Sequence, residues 1–256
     1  MDDVNTVAWP NVLIVGAGGV TACLIGQLIK LFKKAETPPL VTIQDADILE
    51  ERNLDRQLFL PEDVGKAKAD ALVERYESEY PRGLLKADVS WFVPGSSIPW
   101  GTFVFASVDN HAARRAILAE VDERETECII LGNEYWDADA QYYTPKVPSS
   151  VLSDPWIWKG TRLDPRVRFP EILTDKTGDP TAPQGCVGLA QERSPQLAAA
   201  NMAAATCGLW LFLFHVVERP RLRPEAQPYW PVQHTFNINR LITTRVEDLI
   251  TLPTQK

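Results

Sequence analysis

The chain is poor in residues that build structural metal sites. Its four cysteines, Cys23, Cys128, Cys186 and Cys207, lie far apart, and the three histidines are scattered. With no Cys-x-x-Cys pair, a structural zinc site has no ligand set, and a reducing cytoplasm is the expected setting. Positive charge is also short: 26 Lys and Arg against 34 Asp and Glu leave a net charge of −8. That argues against a general nucleic-acid binder, which carries a basic face, yet leaves room for a local basic pocket for a polyphosphate. Met1 to Asn11 contains no Lys or Arg, so no secretory signal is expected. Internal repeats and low-complexity tracts are absent.

What the chain has is an ordinary globular balance, 45% hydrophobic and 23% charged over 256 residues, enough for a substantial core. It is organised around Val12 to Lys68. The apolar run Val12-Leu13-Ile14-Val15 reads as a buried parallel strand. Gly16-Ala17-Gly18-Gly19 follows as a turn, then an apolar-rich helix over Val20 to Lys33 and a second strand over Leu40 to Gln44. That strand ends in Asp45-Ala46-Asp47. Strand, glycine turn, helix, strand and acid form a nucleotide-binding arrangement. Glycines let backbone approach phosphate, and a helix N-terminus offers it free N–H groups and a positive dipole end. The glycine turn alone is a weak signal: Thr21 stands where the dinucleotide fingerprint has Gly or Ala, and Asp45 lies later than that fingerprint's acid.

Further along, Ile48 to Glu62 reads as a loop with a short helical turn and Lys66 to Tyr80 as a helix. Leu84 to Phe92, Thr102 to Ala106, Cys128 to Leu131 and an antiparallel Ala138 to Thr144 read as strands, with Asp109-Asn110 opening a helix between the second and third of these. Met1 to Pro10 is expected to be a loose lead-in. From Pro145 to Arg193 the chain is rich in Pro, Asp, Gly and Ser, and is expected to be a functional loop. Ser194-Pro195 predicts a helix start. The helix, running to Val217, is apolar almost all round. A buried helix is preferred over a membrane span because Asn201, Thr206, Gly208 and His215 interrupt the run. His234 to Asn239 and Leu241 to Arg245 complete the strands.

Asp45-Ala46-Asp47, Asn53-Leu54-Asp55-Arg56-Gln57, Gly65-Lys66-Ala67-Lys68 and Ser107-Val108-Asp109-Asn110 with Arg114, in that order, resemble the ThiF-type adenylyltransferases. That superfamily includes the activating enzymes of ubiquitin and of sulfur-carrier proteins. The match covers Val12 to Thr144, and Asn-x-x-Arg-Gln followed by Gly-x-x-Lys is far more specific than the glycine turn. Cys186, the following helix and Phe236-Asn237-Ile238-Asn239 also resemble the ThiF-like protein of the PRTRC plasmid-associated gene system.

The resemblance implies an α/β fold: a Rossmann-like, mostly parallel sheet with helices on both faces and a crossover loop over 145–193, the whole chain forming one adenylation domain. It implies that ATP and Mg2+ bind. Asp45 would hold the ribose, with Gly16, Gly18 and Gly19 lining the cleft. Arg56 and Lys68 would contact the triphosphate, Asn53 a phosphate, and Gln57 would support that loop. Asp109 would bind magnesium, a hard cation suited to carboxylate oxygen, with Asp47 assisting. Cys186 would take the acyl group as a thioester, while Cys23, Cys128 and Cys207 are read as core thiols. The partner would be a small ubiquitin-like or sulfur-carrier protein ending in glycine, and the protein a cytoplasmic homodimer acting without nucleic acid or membrane. Two features common in relatives are missing: an arginine ahead of Arg52, and a zinc site from paired Cys-x-x-Cys motifs. Other classes fit part of the pattern. An NAD-type oxidoreductase accounts for the glycine turn and Asp45 but leaves Asn53, Arg56 and Lys68 idle. A non-catalytic nucleotide-binding scaffold would keep the fold and lose the chemistry.

Overall fold

Strand β1, Asn11–Val15, alternates its side chains between two cores: Val12 and Ile14 enter one, Leu13 and Val15 the other. Both faces of the sheet are therefore covered, as a parallel strand with no polar face requires. The computed structural model describes residues 4–133, 137–145, 164–176, 198–218, 233–237 and 242–244. Within these residues, β1 is followed by α1 (Gly19–Phe32), β2 (Val41–Gln44), α2 (Lys68–Tyr76), β3 (Leu85–Asp88), β4 (Thr102–Ala106), α3 (His111–Glu123), β5 (Cys128–Asn133) and β6 (Asp137–Tyr143). Helix α4 (Ala198–Leu213) and the strands β7 (Gln233–Asn237) and β8 (Ile242–Thr244) complete the order.

The strands make one sheet in the order β3-β2-β1-β4-β5-β6-β7-β8. The first five pair in parallel, and β5 to β8 pair antiparallel. The expected Rossmann-like, mostly parallel sheet is thus present, and so is the antiparallel β6. The chain winds outward from β1 through β2 to β3, then returns to the other side of β1 with β4. Ligands of open α/β sheets bind at such a reversal, outside the carboxyl ends of the strands.

Helices lie on both faces. Helix α1 buries Leu24, Ile25, Leu28, Ile29 and Phe32, a stripe of helical period, and shares its core with α2 and α4. Helix α3 packs Ala116, Ile117, Leu118 and Val121 on the opposite face. Rings of Trp9, Phe32, Phe103, Phe105 and Phe212 meet between α1, α4 and the sheet, with centroids 4.9–5.9 Å apart. Trp9 ties down residues expected to be a loose lead-in, and the Asn5 carbonyl adds a bond from the Glu36 N–H.

Helix α4 and the π-turn after it, Ala198–Glu218, are long and apolar enough to cross a membrane. Yet α4 buries Ala200, Asn201, Ala204, Ala205, Gly208, Leu211 and Phe212 within the fold. Gly208 lets the helix pack closely on the sheet there: a Cβ would lie 2.6 Å from a Leu131 methyl group, which would have to move. The expected helix start at Ser194 and most of the expected 145–193 loop fall outside the described residues. Two other elements are shorter than the sequence suggests. β3 stops at Asp88, whose carboxylate accepts a bond from the Ser90 hydroxyl. The second long helix gives way to a 3₁₀ turn at Glu77–Glu79.

Candidate active site at the N-terminus of helix α1

The ends of β1, β2 and β4 converge on the glycine turn. Gly16 has φ +95°, and a Cβ there would lie 2.2 Å from the Ser107 carbonyl oxygen. Only glycine satisfies both demands. Its N–H donates to the Gln44 carbonyl at 2.9 Å, and Ser107 N–H donates to Val15 at 2.8 Å. Thr21, which departs from the fingerprint, is fully buried and donates its hydroxyl to the Gly16 carbonyl at 2.6 Å. The hydroxyl bridges helix to turn where a smaller residue would only pack. Around Gly18 the space is open: a Cβ would meet nothing within 4 Å. Gly18 ends the turn as the N-cap of α1 and, having no side chain, supplies no cap to the first N–H groups of the helix.

Asp45 follows β2 and is 9% exposed. One carboxylate oxygen accepts the Ala17 N–H at 2.6 Å, the other the Asp47 N–H at 2.8 Å. Burial pushes its pKa up, and these bonds together with the nearby Lys68 charge only partly offset that. Asp45 thus fixes the turn itself, while each oxygen keeps a further lone pair for a hydroxyl. Lys68 begins α2, is buried and pairs with the Asp47 carboxylate. Its N–H also donates to the Asp47 carbonyl at 2.9 Å. One of its three ammonium donors is used in that pair.

The segment between β2 and α2 carries the other cation. Asn53 is buried, and its Oδ1 accepts the Glu50 N–H at 3.0 Å. Its carbonyl receives the N–H groups of Arg56 at 3.2 Å and Gln57 at 2.9 Å. Asn53 therefore shapes the turn that presents Arg56. Both Arg56 Nε and Gln57 Oε1 are buried without a hydrogen-bond partner. Buried polar atoms are nearly always paired, so an orphaned guanidinium N–H here fits an anionic group.

Asp109 follows β4 and is exposed. Asn110, not Asp109, caps α3, its Oδ1 accepting the Ala113 N–H at 2.8 Å. That leaves the Asp109 carboxylate with a long 3.4 Å contact from the Asn110 amide. An exposed carboxylate on the loop that follows β4 has the chemistry magnesium favours, since that ion takes one or two carboxylates together with phosphate oxygens and water. Among the described residues, no group of three or more His, Cys, Asp or Glu forms a metal cage. Arg114 lies behind this loop and donates to the Val108 carbonyl at 3.1 Å.

Sequence reasoning missed Asn201. This side chain is 1% exposed in α4, and its Nδ2 donates to the Arg56 carbonyl at 2.8 Å. A Cβ at Gly19 would lie 2.2 Å from the same amide. The signal was present, because a lone amide in an apolar helix must find a partner if it is buried. Of the cysteines, Cys128 is buried, Cys23 and Cys207 partly so. Burial pushes the thiols of Cys23 and Cys207 up to about 11, unsuited to thiolate chemistry. Cys186 lies outside the described residues.

Against known families, the ThiF family matches residues 2–160. The chain belongs to the ThiF family. Its members are nucleotide-binding, adenylyltransferase-type proteins, and the ThiF match spans all the site elements from β1 to α3. Several solved structures share the fold. PaaA is 15% identical with a TM-score of 0.56, over 93% of this chain and 72% of its own. MccB from E. coli solved with MccA is 15% identical with a TM-score of 0.61, over 99% of this chain and 67% of its own. MccB with ATP is likewise 15% identical, TM-score 0.61, over 95% of this chain and 65% of its own. This ThiF-family chain thus spans about two thirds of the length of MccB. No curated protein matches.

Proposed function

We propose that the protein uses ATP to adenylate the C-terminal carboxylate of a small ubiquitin-like or sulfur-carrier partner ending in glycine. The observation that carries this reading is the pair of cations near the glycine turn, the half-buried Arg56 with a buried, orphaned Nε and the buried Lys68 with unspent donors. An NAD-type enzyme has no use for them. Family membership and the fold shared with MccB, which has been solved with ATP and with MccA, support the same reading.

The reaction joins a carboxylate oxygen of the partner to the α-phosphorus of ATP. The bond from that phosphorus to the bridging oxygen breaks, and its electron pair leaves with pyrophosphate. A carboxylate is already ionised at neutral pH, so no general base is needed. The work of the protein is positioning and charge stabilisation. Gly16, Gly18 and Gly19 admit the phosphates to the α1 N-terminus, and Asp45 offers its free lone pairs to the ribose. Arg56 and Lys68 face the charge that moves onto pyrophosphate, with Asn53 and Gln57 holding the Arg56 loop. Magnesium, held by Asp109 with Asp47 nearby, would neutralise phosphate charge. A thiolate of Cys186 then attacks the acyl carbon and expels AMP, giving a thioester. We place the protein in the cytoplasm as a homodimer of single-domain subunits, of the PRTRC-associated type.

ATP–pyrophosphate exchange tests the reading. Labelled pyrophosphate should enter ATP only when a small protein ending in Gly-Gly is present. Exchange absent with every candidate, under conditions where ATP binds, would leave a nucleotide-binding scaffold instead.

A further inference from the structure

We infer that Asn201 is a positioning residue for Arg56, and that α4 is thereby part of the nucleotide site although it carries no charge toward it. The inference rests on the reading of Arg56 as a phosphate ligand. Helix α4 has no charged residue from Ala198 to Leu213. Its amide at Asn201 meets three elements of the site. Nδ2 donates to the Arg56 carbonyl at 2.8 Å, Oδ1 accepts from Asn133 Nδ2 at the end of β5 at 2.8 Å, and the amide rests on Gly19, the first residue of α1.

The orientation of the amide follows from its partners. The Arg56 carbonyl can only accept, so Nδ2 must face it, and Oδ1 must then face Asn133, which donates. The bond reaches across 145 residues of sequence to the backbone of the cation itself. Within the loop, the N–H groups of Arg56 and Gln57 already bond the Asn53 carbonyl. Its own turn thus holds the donor side of the Arg56 backbone and Asn201 holds the acceptor side. The guanidinium, with its orphaned Nε, projects from a backbone fixed at both ends. Gly19 matters for the same reason: any side chain there would displace the amide and release the loop from α4.

Hydrogen exchange by mass spectrometry, with Mg-ATP calorimetry on the same samples, tests this. Asn201→Ala removes the bond. Asn201→Asp keeps the volume and the acceptor for Asn133 but turns an oxygen toward the Arg56 carbonyl. Thr206→Ala, on the exposed side of α4, serves as control. Loss of one buried bond should raise exchange at the Arg56 and Gln57 amides roughly tenfold and weaken Mg-ATP by a similar factor in both Asn201 variants. Exchange in β1 and β4 should stay as in the parent. Unchanged loop exchange in either variant overturns the inference, as does a rise spread equally over β1 and β4, which would mark Asn201 as a packing residue only. If the parent binds no ATP, the proposed function falls, while the exchange pattern still decides the role of Asn201.

Discussion

The segment from β1 to α2 and the helix α4 contribute to one site in opposite ways. The first is local and polar: a glycine turn, Asp45, Asp47, Arg56 and Lys68 arise within one continuous stretch. The second is distant and apolar, and brings a single amide. Both meet at Gly19, where the amide of Asn201 occupies the space a side chain would need. The difference shows a division of labour. The charges proposed to meet phosphate sit on loops and helix starts near the strand ends, while the amide that bonds the Arg56 backbone comes from the core.

That division predicts separable failures. The largest effect should come from Phe212→Ala in α4. Phe212 is fully buried among Trp9, Phe32, Phe103 and Phe105. Truncation should cost about 3–5 kcal/mol of stability, read by chemical denaturation, while the folded fraction keeps its affinity for Mg-ATP. Arg56→Ala and Lys68→Ala should show the converse. Each should raise the adenylation barrier by about 2–4 kcal/mol, by analogy with losing one preorganised donor, with little change in melting temperature for Arg56→Ala and a fall smaller than that of Phe212→Ala for Lys68→Ala, which leaves Asp47 without its partner. If Phe212→Ala abolishes binding in folded protein, or the cation variants unfold, the two regions are not separable as argued.

A smaller effect concerns the loop that leads into α2. Asp63 is buried; burial pushes its carboxyl up, but the Leu60 N–H, Arg75 and Lys66 more than offset that, and its pKa lies below the usual range. A depressed folded pKa adds stability that is present above the unfolded value, about 3.9, and is lost as pH falls through the folded value. Asp63→Asn should therefore cost about 1–3 kcal/mol at neutral pH, and the gap to the parent should close in acid. A gap that persists unchanged at pH 2 would mean packing, not charge. Asp109→Asn should have the least effect on the fold, since Asp109 neither caps α3 nor is buried. It should weaken the dependence of ATP binding on magnesium, measured by titrating the metal.

Much of this site was legible in the sequence. Strand β1, its glycine turn, α1 and β2 follow from hydrophobic period and turn chemistry, which are local. So does β4, whose predicted span Thr102 to Ala106 is the observed one. The motif around Asn53, Arg56 and Lys68 was visible by order and spacing. What was not legible was long-range bonding. Asp45 reads as a ribose ligand, and the structure adds that it clamps Ala17 across 28 residues. The local bond of Asn53 is different in kind: its Oδ1 accepts the Glu50 N–H three residues back and shapes the turn, which leaves its Nδ2 as the group able to donate to a phosphate. Asn201 looked like an interruption in an apolar run, because its partners, Arg56 and Asn133, are set by how α4 docks and not by its neighbours in sequence.

The most direct test of the account is calorimetric titration of Mg-ATP into the parent protein and into an Arg56→Ala, Lys68→Ala double variant. The account predicts one site per chain in the parent and loss of measurable binding in the double variant, with both proteins folded. Equal binding by the two proteins would contradict it, placing the nucleotide away from the α1 N-terminus.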